Sequence, residues 1–282
     1  MSVPKRHHYV PQMILNGFTD ANGWLYWCRH RDAPALVRRA RPAELFHKNH
    51  LYSTLSESGI KEPVMERALA ALESEAVSVV QIILDAARHG HVPALTEEQK
   101  QIWYIFFLMQ WRRTPENQRS CTSDSEAHLM IGEILEKLRI AAPHRRDEIA
   151  ELDTPEARQR IIRNVRVQSL IGLRANVMGV LERRGIGIIR ITRPNKQFIV
   201  GSRPVVKLTS PNRTDLNDVK VEMWLPIAAD VAVGVGQGDG GITLFHTEND
   251  IPVRQLNLAI ASQSGTIAAG SAALVRSIAN PR

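Results

Sequence analysis

The chain has 282 residues, 44% of them apolar and 23% charged, a balance that supports a packed core and excludes a chain disordered throughout. Its 36 Lys and Arg against 29 Asp and Glu leave a formal charge of +7, which favours an anionic partner such as nucleic acid, although a solvated basic face gives the same balance. No window supplies the roughly 18 apolar residues of a membrane span, and the opening "MSVPKRHHYV" lacks the apolar stretch of a secretory signal, so a cytosolic protein with no membrane partner is expected.

The first chemical feature is "KRHHYVPQMILNGF", residues 5 to 18. His7 and His8 sit on opposite faces of an extended segment, so at most one turns inward, and His8 is read as that one. "ANGWLYWCRHRD" follows with a turn signal and an alternating aromatic run from Trp24 to Cys28, so the two segments read as a strand or short helix turning back as a strand. Cys28 stands far from Cys121, the other cysteine, which excludes a thiolate zinc site. Residues 38 to 61 are polar, proline-broken and histidine-bearing, and read as a long functional loop anchored by Leu51 and Tyr52.

Helical periodicity then takes over. Val64, Leu69, Leu72, Ala76, Val80, Ile83 and Ala87 recur at three- and four-residue spacing, with Pro63 near the start and Gly90 after the end. "TEEQKQIWYIFFLMQWRRTP" begins with a Thr cap and an acidic first turn and becomes almost wholly apolar, which predicts the buried centre of the molecule. A third helix is expected from about Glu126 to Ile140, and "DTPEARQRIIRNVRVQSLIGLRANVMGVLERR" reads as helical to Arg184. Beyond Gly185 the period falls to two, giving short strands and a last helix, "DIPVRQLNLAIASQ". The expected class is α+β: an N-terminal β element, a central helical bundle, and a C-terminal mostly antiparallel sheet with a closing helix. Residues 1–262 read as one composite domain, helical over about 62–184 and sheet over about 185–262, with 263–282 an Ala/Ser-rich tail expected to fray.

Several motifs bear on chemistry. "GVGQGDGG", Gly234 to Gly241, lies between two strands instead of opening a helix, and reads as a glycine-rich hairpin and not a phosphate loop. His47 and His50, three apart in "FHKNH", join His8 as candidate ligands of a divalent metal, and His30 is a further imidazole; solvated loop histidines are the plainer reading. Glu66 and Glu73, seven apart, return to nearly the same helix face and are placed to orient an inward His8, against the plainer reading of a charged stripe. Arg112 and Arg113, where the apolar helix ends, either complement its C-terminus, hold a phosphate, or pair with Glu66 or Glu73. "RIAAPH", Arg139 to His144, has the R-x4-H spacing of HEPN-type ribonucleases but contains the helix breaker Pro143. "HHYVP" has a likeness to the first strand of an HNH nuclease, with Asn49 and His50 too close together for the usual layout.

Four segments together resemble one family. "HHYVPQMILNGF" resembles the His-x-Tyr-x-Pro-Gln opening of the domain-of-unknown-function 4238 family, a largely bacterial group. "MERALAALE" is similar to its acidic helix, "MQWRRTPENQR" to its Arg-Thr-Pro segment, and "FIVGSRPVVKLT" with "EMWLPIAADVAVGVG" and "VRQLNLAIA" to its strands and closing Asn-bearing helix. The resemblance spans about residues 5 to 262 and implies the α+β organisation already read from periodicity. It marks His8, Tyr9, Pro11, Gln12, Glu66, Arg113, Pro115 and Asn257 as positions of interest. Where that family often has Ser-Asp before x-Pro, this chain has Gly201-Ser202-Arg203-Pro204 and so lacks the Asp.

The function expected from these residues is hydrolysis of nucleic-acid phosphodiesters, as in a toxin-like or phage-defence effector. His8 is general base or metal ligand, with Tyr9 beside it; Glu66 and Glu73 orient it or bind the metal, and Arg112 or Arg113 stabilises phosphoryl charge. The rival expectation is a non-enzymatic binding module in which His8, Tyr9, Glu66 and Arg113 form a buried polar network fixing the N-terminal strand on the helices. A small-molecule enzyme with a cleft between helices and sheet is the third.

Overall fold

The hydrophobic period changes at Gly185, a glycine at φ 73°, and there the chain passes from helices to sheet. The computed structural model describes residues 6–29, 36–170, 172, 175–209 and 215–280; His30 lies outside them. The expected α+β organisation is the observed one.

The opening segment forms β1 (Arg6–His8) and α1 (Gln12–Asn16), with Pro11 immediately before the helix. α1 buries Ile14 and Leu15, and Gly17 then passes so close to the sheet that an added Cβ would lie 2.9 Å from the Ile227 carbonyl oxygen. Next come β2 (Leu25–Arg29), β3 (Arg38–Ala40), β4 (His47–Asn49), β5 (Thr54–Leu55) and β6 (Lys61–Glu62). The long loop expected over 38 to 61 is thus organised into short strands, because β1 needs a hydrogen-bonding partner and β4 supplies it.

The helical middle comprises α2 (Val64–Arg88), α3 (Glu97–Arg112), α4 (Pro115–Cys121), α5 (Asp124–Ala141), α6 (Arg146–Leu152), α7 (Pro155–Gln168) and α8 (Ala175–Arg184). α2 buries Leu69, Ala76, Val80, Ile83 and Ala87, as the spacing predicts, but leaves Val64 exposed. α3 starts on a Thr96–Gln99 capping box and buries Trp103, Phe106 and Phe107, the centre that its composition predicts. The run expected to be a single helix to Arg184 is divided into α7 and α8. Among the described residues no helix is long and apolar enough to cross a membrane.

The C-terminal part adds β7 (Ile186–Ile191), β8 (Val200–Gly201), β9 (Val206–Leu208), β10 (Glu222–Ala228), β11 (Val231–Val235), β12 (Ile242–Thr247), α9 (Asp250–Gln263), β13 (Thr266–Ala269) and α10 (Ala272–Ala279). One sheet has the order β12-β7-β11-β10-β9, antiparallel except for β12 on β7; a second has the order β3-β2-β13-β8. Two expectations are corrected here. The glycine run is no hairpin: β11 and β12 flank β7, and the connection crosses over the start of β7. Its amides at Gly236, Gly238 and Gly240 donate to the carbonyls of Gly185, Arg184 and Arg183, so they satisfy the end of α8 and face no phosphate. Among the described residues, the stretch expected to fray is folded instead: β13 lies between β2 and β8 with Ile267, Ala268 and Ala269 buried, and α10 buries Val275 and Ile278. Small Ala side chains suit a strand enclosed on both edges, where the ordering cost is offset by ladder hydrogen bonds and burial.

Candidate functional site

β1 pairs antiparallel with β4, matching Arg6 with Asn49, His7 with Lys48 and His8 with His47. The pleat sends the two histidines to opposite faces as expected, but His7, not His8, is the buried one, 2% exposed. His7 Nδ1 accepts the amide N–H of Tyr52 at 3.1 Å, and the imidazole stacks on the Tyr52 ring. A ring nitrogen that accepts an amide carries no proton, so the proton of His7 sits on Nε2. Nε2 lies 2.7 Å from Glu66 Oε2, close but outside hydrogen-bond geometry. Glu66 accordingly gains no lowering from a charged neighbour, and burial raises its carboxyl above the ordinary range.

Arg113 closes this frame. Fully buried at the end of α3, it donates from Nε to the Tyr9 carbonyl at 2.9 Å and from Nη1 to Glu73 Oε1 at 2.6 Å. Its own carbonyl accepts the Tyr52 hydroxyl at 3.1 Å. Burial raises both Tyr52 and Tyr9 above the ordinary phenol value, so each stays protonated. Arg112 goes elsewhere: its guanidinium donates to the carbonyls of Ser169 and Gly172 beyond the end of α7, a complement to that helix end away from the Arg113 frame. The two glutamates therefore divide, Glu66 to His7 and Glu73 to Arg113.

The remaining Arg-Thr-Pro residues are explained in turn. Thr114 caps α4 by accepting the Asn117 amide, and Pro115 takes the first helical position. Glu116 receives the Ser202 hydroxyl at 2.7 Å, while Ser202 Oγ accepts the amides of Gly265 and Thr266. Ser202 is 1% exposed, and its hydroxyl locks α4 to the β8 and β13 region. Asn257 likewise clamps residues 197 and 199 to α9.

On the other face of β1, half-buried His8 lies against His47, ring centroids 5.5 Å apart. Burial above all, then His47, pulls His8 below the ordinary imidazole value, against smaller raising effects from the Ala43 backbone and Glu73. Burial and the nearby Arg6 lower His47. His8 Nε2 and His47 Nδ1 are both enclosed and have no hydrogen-bond partner. Each imidazole is thus held toward its neutral form with one enclosed nitrogen unpartnered, so it takes up a proton only below the ordinary imidazole value. His50, at φ 53°, lies edge-on to His7 on the opposite side, so the three histidines expected to share a metal do not converge. Among the described residues no group of three or more His, Cys, Asp or Glu is placed to hold a metal ion. Arg139 pairs with Glu136 and Asp153 and His144 falls in a separate turn after α5, which ends the R-x4-H reading.

Sequence reasoning gave Tyr52 only as a loop anchor, not as the partner of His7 and Arg113, and missed Ala43, Arg6 and the Glu116–Ser202 lock. The sequence profile of the protein of unknown function DUF4238 matches residues 6–267, nearly the whole chain. The chain belongs to this family. No curated protein and no solved structure matches it. The opening segment is thus a two-sided strand: His7 and the Tyr9 backbone lie in the frame, His8 outside it.

One consequence concerns pH. His8 and His47 fold with values below the ordinary 6.5, so the unfolded chain binds more protons as pH drops. Stability contributed by their burial is present above pH 6.5 and is lost as pH falls below it toward the folded values. Melting temperatures at pH 7.5 and 5.5 are expected to fall less in a His8→Gln/His47→Gln variant than in the wild type.

Proposed function

We propose that the chain is a nucleic-acid-directed phosphodiester hydrolase with His8 as general base. The observation that carries this reading is the His8 imidazole, half-buried, held toward its neutral form, with Nε2 unpartnered. Nε2 is enclosed, so the step requires a water or substrate hydroxyl to be admitted to it; Nε2 then takes the proton, that oxygen bonds to phosphorus, and the leaving oxygen departs with the electron pair of its broken bond and is protonated by water. Arg6, exposed and close enough to act on His47, supplies positive charge for the phosphoryl oxygens. Glu73 raises the proton affinity of His8, and Arg113, too buried to meet substrate, positions Glu73.

The surface supports an anionic polymer as partner. Arg38 lies over Trp27, Arg39 and Arg41 lie over Trp24 at 4.7 and 3.8 Å, and all three arginines are exposed. Stacking leaves guanidinium N–H edges available for phosphate, although Arg41 already gives Nη1 to the Asn22 carbonyl. The test is incubation with labelled tRNA, single-stranded DNA and duplex DNA, with Mg²⁺, Mn²⁺ or Zn²⁺ and with chelator. Cleavage of at least one substrate is expected, slowed about tenfold or more in Glu73→Gln by loss of the carboxylate acting on the base. Intact substrates under every condition would defeat the proposal.

A second reading, a binding module without catalysis, draws on the closure of the frame, in which both His7 nitrogens face neighbours and Arg113 is wholly buried. It predicts retention of nucleic acid with no cleavage.

A further inference from the structure

A cavity of about 390 Å³ opens between β4, α4, α5 and α7 and is separate from the His8 face of β1. Its volume falls in the range of ligand pockets, roughly 300–1,000 Å³. Its walls differ in kind. Leu51, Ile162 and Val167 give an apolar floor, the last two buried. Asn49, Gln118 and Gln159 bring three carboxamides, each offering a donor and an acceptor side by side.

The charge of the cavity is unbalanced. Arg166 is neutralised by Asp124 at 2.6 Å. Arg163 instead donates from Nε to the Ser53 carbonyl at 2.9 Å and from Nη2 to the His50 carbonyl, so its guanidinium is held by backbone oxygens that cancel no charge. Lys48, exposed at the mouth, makes no salt bridge among the described residues. Two positive charges therefore face a cavity whose one carboxylate is already committed. A dianionic group satisfies them, a flat ring fits the apolar floor, and the carboxamides match the donor and acceptor edge of a nucleobase.

We propose that this cavity binds a nucleoside monophosphate, free or as one unit of a polynucleotide, with the phosphate at Lys48 and Arg163 and the base against Ile162 and Val167. The proposal deepens the hydrolase reading by naming a nucleotide subsite. It rests on that reading only for the view that the nucleotide belongs to the substrate. The cavity adjoins the frame through His50, whose ring centroid is 6.1 Å from that of His7. A nucleotide seated there lies beside β1, the strand that carries His8 on its other face.

The test is calorimetric titration of the purified full chain with AMP, GMP, CMP and UMP, with the corresponding nucleosides, and with inorganic phosphate. At least one monophosphate is expected to bind at least tenfold tighter than its nucleoside and than phosphate alone. Lys48→Glu, at an exposed position that leaves the melting temperature unchanged, is expected to weaken that affinity at least tenfold, and Gln159→Ala to weaken it less. Equal binding of nucleoside and monophosphate, no binding of any monophosphate, or wild-type affinity in Lys48→Glu overturns the proposal. The two claims fail separately: monophosphate binding without nucleic-acid cleavage leaves the pocket and removes the hydrolase, whereas cleavage without monophosphate binding does the reverse.

Discussion

Arg113→Ala is expected to lower unfolding free energy by about 3–5 kcal/mol, the range for breaking a buried charge pair by removal of one partner. The guanidinium is fully buried and joins three parts of the chain: the Tyr9 carbonyl after β1, Glu73 on α2, and its own place at the end of α3. Truncation leaves the Tyr9 carbonyl unsatisfied and Glu73 without its cation, and it empties a site in a packed region. Arg113→Lys is expected to recover little, because a single ammonium does not reproduce a fork that meets a carbonyl and a carboxylate in different directions. Arg112→Ala is the matched control, with an expected loss of about 1 kcal/mol from freed C-terminal carbonyls. Urea unfolding of the three variants checks the ordering; an Arg113→Ala loss no greater than that of Arg112→Ala contradicts the frame.

The second large effect is on rate. His8→Ala is expected to slow cleavage by about 10²–10⁴-fold, the usual contribution of a positioned general base. The pH profile carries the same information. Burial, chiefly, sets His8 below the ordinary imidazole value of 6.5, so the basic form persists as pH falls through 6.5 and the acid limb of kcat/KM lies below it. Glu73 opposes that lowering, so Glu73→Gln is expected to move the limb further toward acid. A limb above 6.5, or one that moves the other way, assigns the proton transfer to another group.

Which parts of this were legible in the sequence follows from the range of the forces involved. The helix starts at Thr96 and Thr154 were readable because their caps are local, each bonded within three residues, whereas the Ser123 cap starts α5 two residues before the expected Glu126. The alternation of His7 and His8 was readable for the same reason. Which histidine turns inward was not, since that depends on the Tyr52 amide, 45 residues away, and on α2 lying over that face. Arg112 and Arg113 are adjacent and chemically alike, and only the position of α7 against one and of β1 against the other separates their roles. The crossing of the glycine loop over β7 was hidden because a short loop between two strands has the signature of a hairpin whether or not a third strand lies between them. β13 was missed because Thr266–Ala269 has little apolar bulk; its strand state comes from β2 and β8 on either side.

The division of labour between the two adjacent histidines is the central claim, and side-by-side melting and cleavage of His7→Ala and His8→Ala tests it most directly. The expected result is that His7→Ala loses about 1–3 kcal/mol of stability, because the buried Tyr52 amide is left without its acceptor, whereas His8→Ala melts close to the wild type and loses cleavage. A His8→Ala protein that unfolds, or one that stays folded and cleaves at the wild-type rate, contradicts the account.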